Sequence, residues 1–203
     1  MRRQLRTLLR RSLDSLLQPL SFHEDGFKWN RRIGEFIDVI VVEWGTQDTQ
    51  AEYSFTMSCG VVWAPAFRAT WEKPVPPGPI DATQCTVQSR IGSLTGGPDL
   101  WWNSSDYADE EMAADARARI EVVVVPFLDG MHSLPAMASF LSVNERHLRY
   151  PPEVISLATL RKALGDVDGA RRVLTATVNR AVSPRLQKSA WTDHLARLLR
   201  ELE

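Results

Sequence analysis

Two cysteines in 203 residues are too few for a disulfide framework, and Cys59 and Cys85 are not spaced as a metal-binding pair. A reduced, cytoplasmic protein is therefore the simplest expectation. The four histidines, His23, His132, His147 and His194, fall on different predicted elements, and none has a second ligand three or four residues away, so no metal and no cofactor is expected. No run approaches the roughly 18 consecutive apolar residues that a membrane span needs. No secretory leader is recognisable before the first helix. The formal net charge is only -1, so no global basic field is present and nucleic-acid binding is disfavoured. The run Gly92–Gly97 follows a strand as phosphate loops do, but it lacks the Lys-Ser/Thr ending and reads as a turn. No stretch has the spacing of a known reaction centre, which favours a non-enzymatic protein over an enzyme.

The chain does have apolar residues in quantity, 44% by composition, enough for a sizeable core. Its organising stretch is Gln84–Trp102. Cys85, Val87, Ser89 and Ile91 alternate there with Gln84, Thr86, Gln88 and Arg90, as in a strand with one apolar and one wet face. Gly92 lets the chain leave the strand, Gly96-Gly97-Pro98 turns it, and Asp99 is placed to bond local backbone amides. Trp101 and Trp102 follow. If both indoles were buried they would contribute roughly 10 kcal/mol gross, at about 25 cal/mol per Å² over about 200 Å² each. The alternative is an aromatic binding wall. Arg90 projects from the wet face beside the glycine turn, and is read either as an ion-pair partner of an acidic residue or as a contact for an anion or carboxylate. Cys85, on the apolar face with nothing nearby to lower its pKa, reads as a small hydrophobe and not as a nucleophile. It and Cys59 could be cross-strand neighbours, but no disulfide is expected.

Taken in order, the chain opens with Leu5, Leu8, Leu9, Leu13, Leu16, Leu17 and Leu20 at helical spacing, with arginines mostly off that stripe: an amphipathic helix that packs on a sheet. Gly26–Arg32 and Glu35–Trp44 form a hairpin around Gly34, and the second strand, apolar on both faces, is central. Residues 51–63 alternate strictly from Tyr53 to Trp63, with one face buried and the other polar. The proline-rich Pro65–Ile80 reads as an irregular loop. Four strands then make an antiparallel meander. After the tryptophans, Asn103–Asp106 offer helix N-caps and a helix begins near Tyr107. By propensity alone Ile120–Val125 would be a strand. Pro126 is expected to stop a helix there in either case. A short helix covers Leu134–Leu141, and Tyr150-Pro151-Pro152 marks a boundary. Beyond it two helical stripes flank Gly165–Gly169, and a last helix runs from Pro184 to Leu202. The pattern from Leu157 to Ala170 is similar to half of a tetratricopeptide-type helix pair. The expected fold is α+β, with residues 1–149 as an α+β domain and 150–203 as a helical extension.

Cys85 followed by Arg90-Ile91-Gly92, a turn and Trp101-Trp102 resembles the signature of the DUF4304 family, a bacterial family of unknown function. The end of the first helix at Leu20-Ser21-Phe22 is similar too, as are Gly26-Phe27-Lys28, Tyr53-Ser54-Phe55 and Val125–Asp129. The resemblance covers roughly residues 5–140. It implies an α+β fold and a helix up to Val124, and it implies no activity. Thr86 stands where the family's residue after the cysteine is aromatic or basic, and the chain continues past Leu141 into further helices.

The residues favour a protein-binding module with a protein partner, of immunity or antitoxin type, using the sheet's polar face or the helical tail. The competing expectation is a small-molecule or enzymatic pocket between the sheet and the helix after the tryptophans, lined by Trp63, Arg90, Trp101 and Trp102. Nucleic-acid binding through the N-terminal arginines is a third possibility, and it would be strongly salt-dependent.

Overall fold

A computed structural model describes residues 2–46, 52–143, 148, 150–181 and 190–202. By internal contacts the chain forms two compact units, Met1–Val62 with Pro76–Gly130, and Trp63–Val75 with Met131–Glu203. This division does not fall at Tyr150: helices before that residue belong with those after it.

In the first unit, helix α1 (Arg2–Leu17) buries Leu5, Leu9, Leu13 and Leu17 completely, as its leucine period requires. The sheet that follows is antiparallel and has six strands where four were expected: β1 (His23–Asp25), β2 (Lys28–Ile33), β3 (Phe36–Trp44), β4 (Ser54–Trp63), β5 (Val87–Arg90) and β6 (Trp102–Asn103). The four expected strands correspond to β2–β5. β1 and β6 have three and two residues, too few for an alternation to show. Gly26 and Phe27, expected to open a strand, instead form a two-residue turn between β1 and β2, both with positive φ, as a hairpin of this length requires.

β3 lies between β2 and β4, as its two-sided apolarity indicated. β4 departs from the expectation of one wet face. Every residue from Phe55 to Trp63 is buried, because chain distant in sequence covers the polar side. The Thr56 hydroxyl donates to the Leu100 carbonyl at 2.7 Å. Asn30, on the same face of β2, accepts from Ile80 N–H at 2.6 Å, and Lys28 pairs with Asp81 at 2.8 Å. The other face carries the helices: the Trp29 indole donates to Asp14 on α1 at 2.8 Å.

β5 and β6 are one interrupted edge strand. Arg90 pairs with Ser58, and three residues along β4 Trp102 pairs with Phe55, so the chain between them, Ile91–Trp101, loops out of the ladder. The expected strand is also shorter at its start. Cys85 follows a 3-10 turn (Ala82–Gln84) capped by Asp81, and Ile91 opens a single helical turn, α3 (Ile91–Leu94). Gly60 has no room for a side chain, since a Cβ there would stand 2.3 Å from the Val87 carbonyl.

Helix α4 (Asp109–Arg119) runs through a π-helical turn (Ile120–Val124) into α5 (Val125–Gly130). Pro126 therefore does not stop the helix at Val124. The Val125 N–H reaches back to Ile120, and this wider turn takes in a residue that has no N–H and would collide with the carbonyl four residues earlier. The helix is tied to α1 and to the sheet. Arg117 donates to the Ser12 carbonyl of α1 at 2.6 Å, and Asp129 accepts from Arg31 on β2. The same guanidinium holds Asp38 of β3 at 2.6 Å, a carboxylate with 0% exposure. Burial opposes the charge on Arg31, but the two carboxylates outweigh it and raise its pKa.

The second unit is helical. Residues 65–71, expected to be part of an irregular loop, belong to α2 (Ala64–Trp71). Pro65 lies in its first turn, where no N–H is needed, so proline starts this helix instead of breaking it. The others are α6 (Leu134–Ser142), α7 (Pro151–Ala163), α8 (Val167–Ala181) and α9 (Ala190–Arg200). The part of the last helix expected at 184–189 lies outside the described residues. α7 packs against α2, α6 and α8 and buries Val154, Ile155, Leu157 and Leu160 completely. α9 is fastened to α2: His194 meets the Ala69 carbonyl at 2.8 Å and Glu72 at 3.0 Å, Arg197 binds Glu72, and Trp191 meets Trp71 edge-on at 5.8 Å between centroids.

Arg31→Met should cost about 3–5 kcal/mol in urea denaturation, because it removes the guanidinium that faces Asp38 in the core. Adding Asp38→Asn should recover part of that loss, and a single-variant cost below about 1 kcal/mol would rule the pairing out as a structural requirement. Glu72 supplies a pH dependence. The hydrogen bonds from Arg197 and then His194 lower its pKa, so its contribution is in place above the usual glutamate range and is lost as the pH falls through its depressed folded value. With the intrinsic exchange rate at each pH divided out, the protection of α9 amides should fall on such acidification in the native chain and much less in Glu72→Gln. An equal fall in protection in both would exclude Glu72 as the origin.

Candidate binding surface

The polar face of the β4–β5 edge carries a compact group of charged and aromatic side chains. Ser58 and Arg90 are register partners and so project from the same side. The Ser58 hydroxyl donates to Glu43 of β3. Arg90 donates to the other oxygen of Glu43 at 3.1 Å and to Asp99 in the looped-out segment. Asp99 also accepts from the Trp101 indole at 3.2 Å, and the Arg90 guanidinium lies 5.9 Å from the centre of the Trp101 ring. Asp99 thus bonds two side chains and not the local backbone amides that its turn position suggested.

The loop is braced internally. The Gly97 N–H bonds the Gly92 carbonyl at 3.0 Å, and the Thr95 hydroxyl donates to the same carbonyl at 2.9 Å. Gly92 is the point of closest approach: a Cβ there would lie 2.1 Å from the Pro98 carbonyl. The result is a partly exposed indole held by a guanidinium that is 41% exposed and tied to two carboxylates. An arrangement of this kind presents a preorganised aromatic edge beside a local excess of negative charge. Asp99 and Glu43 take N–H groups from both ends of the Arg90 fork, and their charges oppose the approach of an anion.

The four residues singled out from the sequence are not gathered in one place. Arg90 and Trp101 meet. Trp102 pairs with Phe55, which places it on the opposite, helix-bearing face. There it is 2% exposed, stacks on Phe55 at 4.8 Å, and donates its indole N–H to Asp115 of α4 at 2.8 Å. Of the two indoles only Trp102 is core. Trp63 is the buried last residue of β4 and the residue before α2, at the opposite end of the strand from Phe55. Glu43, Ser58 and Asp99 were missed. Glu43 alone had a signal, as the one acid at the end of the apolar run from Val39 to Trp44.

A cavity of about 400 Å³ adjoins this surface, lined by Trp101, Tyr53, Asn103, Ser104 and Glu52 among others. The Tyr53 hydroxyl donates to Asp109. Burial, then that carboxylate, push its pKa up to about 12. Burial likewise pushes the Cys59 thiol up to about 12 and raises Cys85 well above its ordinary value, so both stay protonated and poorly nucleophilic. Both are free, and the strand partner of Cys59 is Ser89. Asp38 and Asp129 converge on the guanidinium of Arg31, a cation that already occupies the place between them. Among the described residues no single helix is long and apolar enough to cross a membrane.

Fold and surface together define an α+β domain built on an open antiparallel sheet, with helices on one face and ordered loops on the other. The family described as a domain of unknown function (DUF4304) matches residues 13–130, more than half of the chain, and the chain belongs to that family. The match ends where the first compact unit ends, at Gly130. No curated protein and no solved structure matches the chain.

Gly92→Ala should destabilise the fold by roughly 1–3 kcal/mol, because backbone and not a flexible side chain must move. It should also weaken the near-ultraviolet circular dichroism contributed by Trp101. Gly97→Ala, whose new Cβ would be 3.8 Å from its nearest neighbour, should stay within about 0.5 kcal/mol of the parent. Equal effects at the two positions would contradict the close packing assigned to Gly92.

Proposed function

We propose that the chain is a non-enzymatic protein-binding module, in the manner of an immunity or antitoxin protein, that works in the cytoplasm through the surface formed by Arg90 and Trp101. The observation that carries this reading is the bracing of Trp101. Its indole N–H is bonded to Asp99, Asp99 is bonded to Arg90, and the loop that holds them is anchored to β4 through Thr56. Tryptophan and arginine dominate binding energy at protein interfaces, and a side chain already fixed in place loses little entropy on association.

A second reading is favoured by the cavity of about 400 Å³ beside Trp101, which falls in the size range of small-molecule sites. In that reading Trp101 forms a wall of the pocket, and Trp102 contributes only by holding the strand behind it.

The test is affinity capture from the native lysate at physiological salt, using the parent chain and Trp101→Ala after both are shown to be folded. A stoichiometric protein partner that Trp101→Ala retains at least about tenfold less well is the expected result, corresponding to a loss of about 1.4 kcal/mol or more. A chain that emerges alone would reject the binding reading. A small molecule that co-purifies with the parent and not with Trp101→Ala would establish the pocket instead.

A further inference from the structure

Along the exposed side of α1 lies a groove of about 610 Å³ lined by Arg3, Arg6, Arg10, Arg11 and Asp14, with Phe27 at its floor. We propose that this groove is a second contact surface, one that takes a carboxylate-rich segment of a protein partner. The proposal rests on the protein-binding reading and adds to it the chemistry of what is bound.

Three observations carry it. The first is the balance of charge. The Asp14 carboxylate is engaged by the Trp29 indole and Arg10 is paired with Glu24 at 3.0 Å. Among the described residues Arg3, Arg6 and Arg11 have no carboxylate partner. Arg117 adds another cation at the groove's edge, where it donates to Ser15 at 2.7 Å. With a net charge of only -1 over the whole chain, this concentration is local. The second is the spacing. Arg3, Arg6 and Arg10 follow the helix over about 10 Å at 1.5 Å per residue, a span matched by about three residues of an extended peptide. Guanidinium forks suit carboxylates in two-pronged contact.

The third is Phe27 itself. Its φ of 67° is unfavourable for a bulky L-residue and persists only where the surroundings over-determine it. The two-residue turn demands this φ, and the groove floor packs around the ring: Arg6 and Arg10 lie 4.8 and 4.7 Å from its centre, and Trp29 and Trp44 meet it edge-on. The strained turn therefore fixes two of the guanidinium groups in position.

The same geometry argues against other polyanions. Phe27 is buried and covered by arginines, which leaves no ring face on which a nucleic-acid base could stack. Leu5, Leu9, Leu13 and Leu17 of α1 are fully buried and Leu8 and Leu16 are half-buried, so the helix has no fully exposed apolar face to insert into a lipid surface.

The test titrates the full chain with fluorescein-labelled hexaglutamate, and in parallel with a labelled oligothymidylate of equal charge, following anisotropy at low and at physiological salt. The variants are Arg3→Glu with Arg11→Glu, both at exposed positions where folding should be kept, and Arg3→Lys with Arg11→Lys. Saturable hexaglutamate binding, weakened about tenfold or more by the glutamates and less by the lysines, is the expected result. Three outcomes would overturn the proposal: no saturable hexaglutamate binding at low salt, binding that the glutamates leave unchanged, or tighter binding of the oligothymidylate. None of these touches the capture experiment with Trp101→Ala, so the groove can fail while the Trp101 surface stands.

Discussion

A carboxylate completely removed from water needs a counter-charge, and Asp38, the third residue of β3, is such a group. Arg31 supplies the charge from the neighbouring strand and extends it to Asp129 at the end of α5, while Phe22 covers the guanidinium at 4.7 Å. A buried ion pair of this kind contributes little net stability, but breaking it is costly, so it acts mainly to exclude other arrangements. Here it fixes three things together: the pairing of β2 with β3, the seat of the long helix on the sheet, and the way the chain after α1 enters the first strand. The family resemblance in the run from Val125 to Asp129 acquires a physical meaning from this, since that run delivers the acid to the arginine.

The other organising fact is the interruption of the edge strand. β5 and β6 share one side of β4, but the chain between them leaves the ladder and returns. On leaving, it crosses the polar face, covers Thr56, and exposes Trp101. On returning, it places Trp102 in the core against Phe55 and α4. Two adjacent tryptophans thus serve opposite ends, one packing and one surface, and the loop sets which is which.

Much of this was legible in the residues. The leucine period of α1, the two-sided apolarity of β3 and the strict alternation of β4 each locate an element, because each is a local pattern with a local cause. The features that escaped depend on context. Pro65 and Pro126 read as breakers, yet one sits in a first helical turn and the other behind a π-helical turn. The cover over the polar face comes from Leu100 over β4 and Ile80 over β2, far away in sequence, so no alternation within β4 could announce it. The candidate residues divide in the same way. Arg90 and Trp101 come together because a short loop joins them. Trp102 was assigned to the same surface because parity along a strand cannot be followed through a loop that leaves the ladder.

The long helix keeps its apolar side in an unusual rhythm. Met112, Ala116, Ile120, Val124 and Leu128 are all fully or almost fully buried, and they recur every fourth residue. In a regular α-helix each such step overshoots a full turn by about 40°, so Leu128 would be rotated about 160° from Met112 and would face away from the sheet. The π-helical turn absorbs about one residue, near 100° of that drift, and returns the later part of the stripe to the core side. The phase of the helix is thereby matched to a target far from its start. A single deletion between Ile120 and Val124 would leave every local preference nearly intact and still swing Asp129 by about 100° away from Arg31.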